Sequence, residues 1–285
     1  MKKTLILLMF LLMGTVIYAA ATTAQGYKDR GDEKSEAGDY QNAIIDYNLA
    51  IEYNPKFSEA YCNRGMVKVD LKDFDGAKED FSKAIELNPN DSISYSARTY
   101  IELMLKEFDE AIQDAEKTIE LDPENPIAYA VLGIAGYYKN NDTAEAEKNL
   151  DKAVKLDPEN EILYVLRAAF KAEIKDYSAA MQDFSKAIEI SPENSSLYTA
   201  RAVVKSSLRD HVGTIKDCEK ALKLDPKNAD AYYYRGLAKV ASYEFDEALK
   251  DLSTAGELGK GEAYEAIKEV NKLKFDYKML QKSKK

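Results

Sequence analysis

Apolar and small residues recur along this chain at helical spacing, in short blocks broken by polar turns. Between Ser58 and Asp91, the set Ala60, Tyr61, Gly65, Val67 and Leu71 lies at helical intervals. Lys72-Asp73 interrupt it, and Phe74, Ala77, Phe81, Ala84 and Ile85 resume it on one face. This is the pattern of two short amphipathic helices joined by a turn. Leu87-Asn88-Pro89 ends the second helix, because proline disfavours helical geometry in the residue before it. Asp91, Asn125, Asn160, Asn194 and Asn228 stand where the next first helix begins and are good N-caps. Pro126 follows Asn125 at the first helical position, the place where a helix accepts proline.

The hairpin then repeats. Pro55, Pro89, Pro123, Pro158, Pro192 and Pro226 are spaced by 34, 34, 35, 34 and 34 residues. Tyr27, Tyr61, Tyr95, Tyr129, Tyr164, Tyr198 and Tyr232 keep the same rhythm. Such a period is too short for a domain and fits one supersecondary unit, so the chain reads as a quasi-linear stack in which each unit packs on its neighbours.

Counted from Ser58 as position 1, small residues and aromatics recur at fixed places: Tyr61 at 4, Gly65 at 8, Ala77 at 20, Phe81 at 24, Ala84 at 27 and Pro89 at 32. Ala43, Ala111, Ala146, Ala180 and Ala248 repeat position 20. In these positions the chain resembles the tetratricopeptide repeat family, whose unit is a 34-residue helix-turn-helix. The resemblance implies an all-α fold, a right-handed superhelical solenoid of about seven repeats closed by a C-terminal capping helix. The repeats are then 24–57, 58–91, 92–125, 126–160, 161–194, 195–228 and 229–262, with the cap at 263–281 and a basic tail at 282–285. Departures mark particular units. The fourth carries an extra residue, expected in the turn at Lys139–Thr143. The sixth has His211, Thr214 and Cys218 in place of an aromatic, Ala and an aromatic, and the seventh ends in Gly259-Lys260-Gly261 without the proline.

The resemblance also implies that first helices line a concave face that holds an extended peptide or a partner helix. Its positions are polar in the first unit and apolar or aromatic in the middle ones. The candidate partner-binding residues are Tyr100, Met104, Ile127, Ile134, Tyr137, Tyr138, Ile162 and Leu166. The two-carboxylate clamp of co-chaperone members is not reproduced: Lys28 and Asn63 fit it, whereas Asp32, Ile93 and Ala97 do not. Capture of an acidic chaperone tail is therefore not expected.

One regularity lies outside the family pattern. Position 7 is Arg in six units (Arg30, Arg64, Arg98, Arg167, Arg201, Arg235) and position 23 is Asp in the same six (Asp46, Asp80, Asp114, Asp183, Asp217, Asp251). The fourth unit has Leu132 and Asn149, losing both together. Joint loss predicts an ion pair within each repeat, since a partly buried Arg needs a partner.

The first 21 residues differ from the rest. Lys2 and Lys3 precede an uncharged run from Leu5 to Ala21, ending in alanines. This predicts a signal peptide at 1–21, cleaved after Ala21 or, as the next choice, after Ala19; an uncleaved anchor is the alternative. Either places the repeats outside the cytoplasm, in the periplasm or cell envelope of a bacterium, possible membrane contact arising only through an uncleaved leader. A net charge of −10 argues against nucleic acid as a partner. Cys62 and Cys218 lie four repeats apart and are expected to be free. His211 is the single histidine, so multi-imidazole metal sites are excluded, and no phosphate-binding glycine loop occurs. The sequence thus points to a non-catalytic exported scaffold that binds a protein or peptide and uses no cofactor or metal. A membrane-anchored assembly factor and a glycan- or polymer-associated envelope protein are the alternatives.

Overall fold

The structure, a computed structural model, describes residues 23–283. The expected leader at 1–21 lies outside the described residues. Fifteen α-helices and no strand occur among the described residues. They form hairpins: α1 (Ala24–Glu36) with α2 (Tyr40–Tyr53), α3 (Ser58–Asp70) with α4 (Phe74–Leu87), α5 (Ser92–Met104) with α6 (Phe108–Leu121), and α7 (Pro126–Asn140) with α8 (Thr143–Leu156). There follow α9 (Glu161–Glu173) with α10 (Tyr177–Ile190), α11 (Ser195–Ser207) with α12 (His211–Leu224), α13 (Ala229–Ala241) with α14 (Phe245–Glu257), and α15 (Glu262–Ser283). The chain divides after Leu156 into two compact units. Within the first, consecutive helices pack together, and first helices touch the first helices of the next hairpin, α1 on α3, α3 on α5 and α5 on α7. Within the second, α11 meets α13 and α13 meets α15 in the same way.

Local chemistry explains many of the helix ends. The side chains of Asp91, Asn125, Asn160, Asn194 and Asn228 each accept a hydrogen bond from a first-turn N–H of the helix that follows. The first helix of a hairpin ends in a Schellman turn. After α3, Asp73 N–H donates to the Lys68 carbonyl at 2.9 Å and Lys72 N–H to the Val69 carbonyl at 2.9 Å. The left-handed residue this turn requires is Lys72 (φ 63°), not glycine, and Lys106, Lys175, Arg209 and Tyr243 occupy the same place in other hairpins. In the fourth, fifth and sixth hairpins the tyrosine of the period bonds to the proline before it. The hydroxyls of Tyr129, Tyr164 and Tyr198 donate to the carbonyls of Pro123, Pro158 and Pro192 at 3.2, 3.2 and 3.0 Å. That bond fastens the start of one hairpin to the loop that delivers it.

The core is a row of complementary sizes. A Cβ on Gly31 would lie 2.6 Å from the Tyr47 ring, and one on Gly65 would lie 2.7 Å from the Phe81 ring. In the third hairpin the sizes are exchanged, with Thr99 at position 8 and Ala115 at position 24, both buried. Volume is conserved across the helix pair, as a close-packed interior demands.

Two boundaries differ from the sequence expectation. The extra residue of the fourth hairpin enters the helix: α7 has 15 residues against 13 for α3, and the left-handed cap moves on to Asn141 (φ 54°). Asparagine tolerates that conformation, so the helix continues through Lys139 and Asn140 before it stops. The terminal helix continues to Ser283, so a separate tail does not begin at 282.

Candidate partner-binding surface

The most regular polar feature of both units is a forked ion pair inside a hairpin. Arg64 donates from Nε and Nη2 to the two Asp80 carboxylate oxygens at 2.8 and 2.5 Å. Arg98 does the same with Asp114 (2.6 and 2.8 Å), Arg167 with Asp183 (2.9 and 2.6 Å), Arg201 with Asp217 (2.8 and 2.8 Å), and Arg235 with Asp251 (2.8 and 2.7 Å). Arg30 holds Asp46 in the same fork, with Nε at 2.9 Å. The aspartates are buried, and bidentate geometry is what makes such burial tolerable. Each of these arginines also lies over the tyrosine at position 4, as Arg64 does over Tyr61 at 5.4 Å.

Two further partners were not anticipated from sequence. A lysine at position 11 reaches the same carboxylate: Lys34–Asp46 at 2.6 Å, Lys68–Asp80 at 2.8 Å, Lys205–Asp217 at 2.7 Å and Lys239–Asp251 at 2.7 Å. The signal was present, since these lysines follow the arginines by four residues. The third Arg nitrogen reaches back to position 25 of the preceding hairpin, Arg64 to Asn48 at 2.5 Å, Arg98 to Ser82 at 3.0 Å and Arg201 to Ser185 at 3.1 Å. Hydrogen bonds from Arg30 and Lys34 hold the Asp46 carboxyl below its ordinary range. Burial would raise Asp251, but Arg235 and Lys239 outweigh it and its pKa is lowered as well.

The third hairpin breaks this arrangement. Its position 11 is Glu102, buried, with Oε1 3.7 Å from both Lys78 Nζ and Arg98 Nε and with Oε2 lacking a hydrogen-bond partner. Burial, and then the neighbouring Asp114 charge, push its carboxyl up to about 7.

The candidate contact residues separate by exposure. On α5, Met104 is 45% exposed and Tyr100 is half-buried; on α7, Tyr138 is 50% exposed, while Ile127 and Tyr137 are half-buried. Tyr138 stacks on Phe108 with ring centroids 4.9 Å apart and meets Tyr137 edge-on at 5.6 Å. α5 packs on α7, so both helices carry candidate residues within the first unit. Ile134 and Leu166 are only 8% exposed; they are packing residues, a correction to their reading as contacts. Position 9 of the fourth hairpin and position 6 of the fifth are turned into the core. Ile162 is exposed on α9, in the second unit.

The first helix of the first unit is polar. Asp32 binds Lys28 at 2.9 Å and accepts from Asn63 and the Tyr47 hydroxyl, each at 2.8 Å. The two residues that fit the carboxylate clamp are thereby committed to Asp32, and this bond is also the main reason that the Lys28 pKa is raised. In the second unit, α11 and α13 flank a cleft of about 620 Å³ whose lining includes Ser196, Thr199, Asn228, Asp230, Tyr234 and Lys260. Lys260 and Asp230 pair there at 2.6 Å.

His211 is the first residue of α12 and half-buried. Cys62 and Cys218 are free and buried, and burial pushes their thiols up to about 11 and about 12, away from the reactive thiolate. Among the described residues no group of three or more His, Cys, Asp or Glu is placed to hold a metal ion.

Tetratricopeptide repeat family models match residues 24–57, 58–91, 136–195 and 218–250, together more than half of the chain. No curated protein matches the sequence significantly. Among solved structures, the chain is similar to one from the APC/C hetero-tetramer Cut9–Hcn1, with a TM-score of 0.72 at 15% identity over 86% of this chain and 49% of that one. It is similar to a tetratricopeptide repeat protein from Parabacteroides merdae, with a TM-score of 0.63 at 21% identity over 88% and 98%. Yeast Tom70 gives a TM-score of 0.61 at 23% identity over 91% and 54%. The chain thus spans about half the length of the Cut9–Hcn1 and Tom70 chains it matches.

Proposed function

Since the chain belongs to the tetratricopeptide repeat family, we propose that it is a non-catalytic scaffold that captures a protein or peptide on the aromatic surface of α5 and α7. The observation that carries this reading is the exposure of Met104 and Tyr138 beside half-buried Tyr100, Tyr137 and Ile127. Large rings and a thioether at the rim of a helical groove are the anchors that protein interfaces favour. The occupant is an apolar or aromatic segment, because Asp32 already satisfies Lys28 and Asn63 and leaves no basic clamp for an acidic tail. Membership of assemblies, as the name of the Cut9–Hcn1 hetero-tetramer states for that protein, is consistent with this role.

A photo-crosslinker placed at Tyr138 or Met104 is expected to trap the partner, and one at Ile45, exposed on α2, is not. Met104→Glu with Tyr138→Glu should abolish capture while the far-ultraviolet circular dichroism stays helical. Capture that survives both substitutions would move the interface off this surface. The basic, apolar and small-residue order of residues 1–21 supports export by a cleaved leader, with the repeats working in a bacterial envelope. Amino-terminal sequencing of the secreted protein should begin at Thr22; an intact Met1 would instead favour the membrane-anchored form.

A further inference from the structure

We infer that the outward face of α15 docks on an anionic lipid surface. One side of this helix is fixed to the second unit. Ala263, Ala266 and Val270 are buried, Lys274 pairs with Asp246, and Tyr277 stacks on Tyr243 with centroids 4.9 Å apart. These residues advance by three and four, so they define the inner stripe of the helix. The opposite stripe keeps the same rhythm through Lys268, Lys272, Phe275, Met279 and Lys282. Glu265 sits one step before this stripe and pairs with Lys268 at 2.6 Å, so Lys272, Phe275, Met279 and Lys282 form its acid-free part. Phe275 is 64% exposed and Met279 51%, held between lysines whose alkyl stems can extend their charge to a headgroup layer while the apolar groups go beneath it.

The distribution of charge selects the same end. Residues 22–267 hold 48 Asp and Glu against 31 Lys and Arg, whereas residues 268–285 hold seven Lys against Glu269 and Asp276. An anionic surface repels the first set and attracts the second, so the molecule approaches with α15 leading. The helix lies on the surface and does not cross it. Among the described residues no helix is long and apolar enough to span a membrane. The acidic body of a second copy would answer the lysines but not Phe275 and Met279, whereas a bilayer offers acidic headgroups and acyl carbon together. This inference is independent of partner capture on α5 and α7.

The chain has no tryptophan, so Phe275→Trp supplies a single reporter in the full-length chain. With phosphatidylglycerol vesicles its emission is expected to shift to the blue and to be quenched by brominated lipid. With phosphatidylcholine vesicles it should not change, and added salt should reverse the shift. Lys272→Glu with Lys282→Glu in that background should raise the lipid concentration needed for half the change by about tenfold or more. Trp at Ile45 separates docking through α15 from recruitment by the leader, and its emission should stay constant. An equal response to both lipids, or no response at position 275, overturns the inference. A blue shift that follows protein concentration without lipid also overturns it and makes a second copy the occupant.

Discussion

Glu102 stands where the first, second, sixth and seventh hairpins place a lysine against the buried aspartate, and this inverts the local electrostatics. An Asp between Arg and Lys is stabilised as an anion. A carboxylate beside Asp114, with one oxygen unsatisfied, is stabilised by taking up a proton. Its folded pKa of about 7 lies above the ordinary 4.5, so between those values the folded state binds more protons than the unfolded one. This contribution is complete below about pH 4.5 and is lost as pH rises through 7. Asp46 and Asp251 act in the opposite sense, losing stability only as pH falls below their ordinary 3.8. Urea midpoints should therefore decline from pH 5 to pH 8 in the native chain, and Glu102→Gln should flatten that decline. Glu102→Lys should restore the ion pair of the other hairpins and raise the melting temperature, by roughly 2–4 °C for about 1 kcal/mol. A sequence shows that Glu102 breaks a period; only the packing of α6 and α4 against it shows that the break is buried.

The helix ends show how much of an element can be read ahead of its structure. Asx caps, the proline stops and the two-helix period follow from rules local to a few residues, and the helices begin and end accordingly. The placement of the inserted residue was not legible, because a helix can absorb it if a later residue accepts the left-handed cap, and Asn141 does. Which groove positions stay open was equally hidden. Ile134 and Tyr138 are four apart on α7, yet one is buried and the other half exposed, a difference set by the neighbouring helices. The Schellman turns carry their own prediction. Lys72 adopts φ 63°, a conformation that costs a residue with Cβ about 1 kcal/mol relative to glycine. Lys72→Gly should raise the urea midpoint by an amount equivalent to about 0.5–1 kcal/mol. A loss of stability would mean that the lysine side chain contributes more than the backbone strain removes.

At the scale of the whole molecule, the Arg–Asp fork is a single device used six times, and its recurrence was visible because the fourth hairpin lacks both members. Sequence covariation within one chain located the pair; it did not find Lys68 or Asn48, whose partners follow from three-dimensional proximity. The expectation is strong coupling. Arg64→Ala leaves the buried Asp80 with Lys68 alone, and Asp80→Asn leaves Arg64 and Lys68 without their carboxylate, so each should cost about 2–3 kcal/mol. The double substitution should cost less than their sum by about 1 kcal/mol or more. Additive losses in chemical denaturation would show that the fork contributes little beyond two independent contacts.

The backward reach of these arginines also gives the stack a grammar. Arg64 reads Asn48 and Arg98 reads Ser82, two short hydrogen-bonding side chains at one register. Excise residues 58–91 and Arg98 would meet Asn48 where Ser82 had been. At that seam the two side chains are interchangeable acceptors, so the second hairpin can be removed as a whole while Arg98 keeps a bond to the hairpin before it.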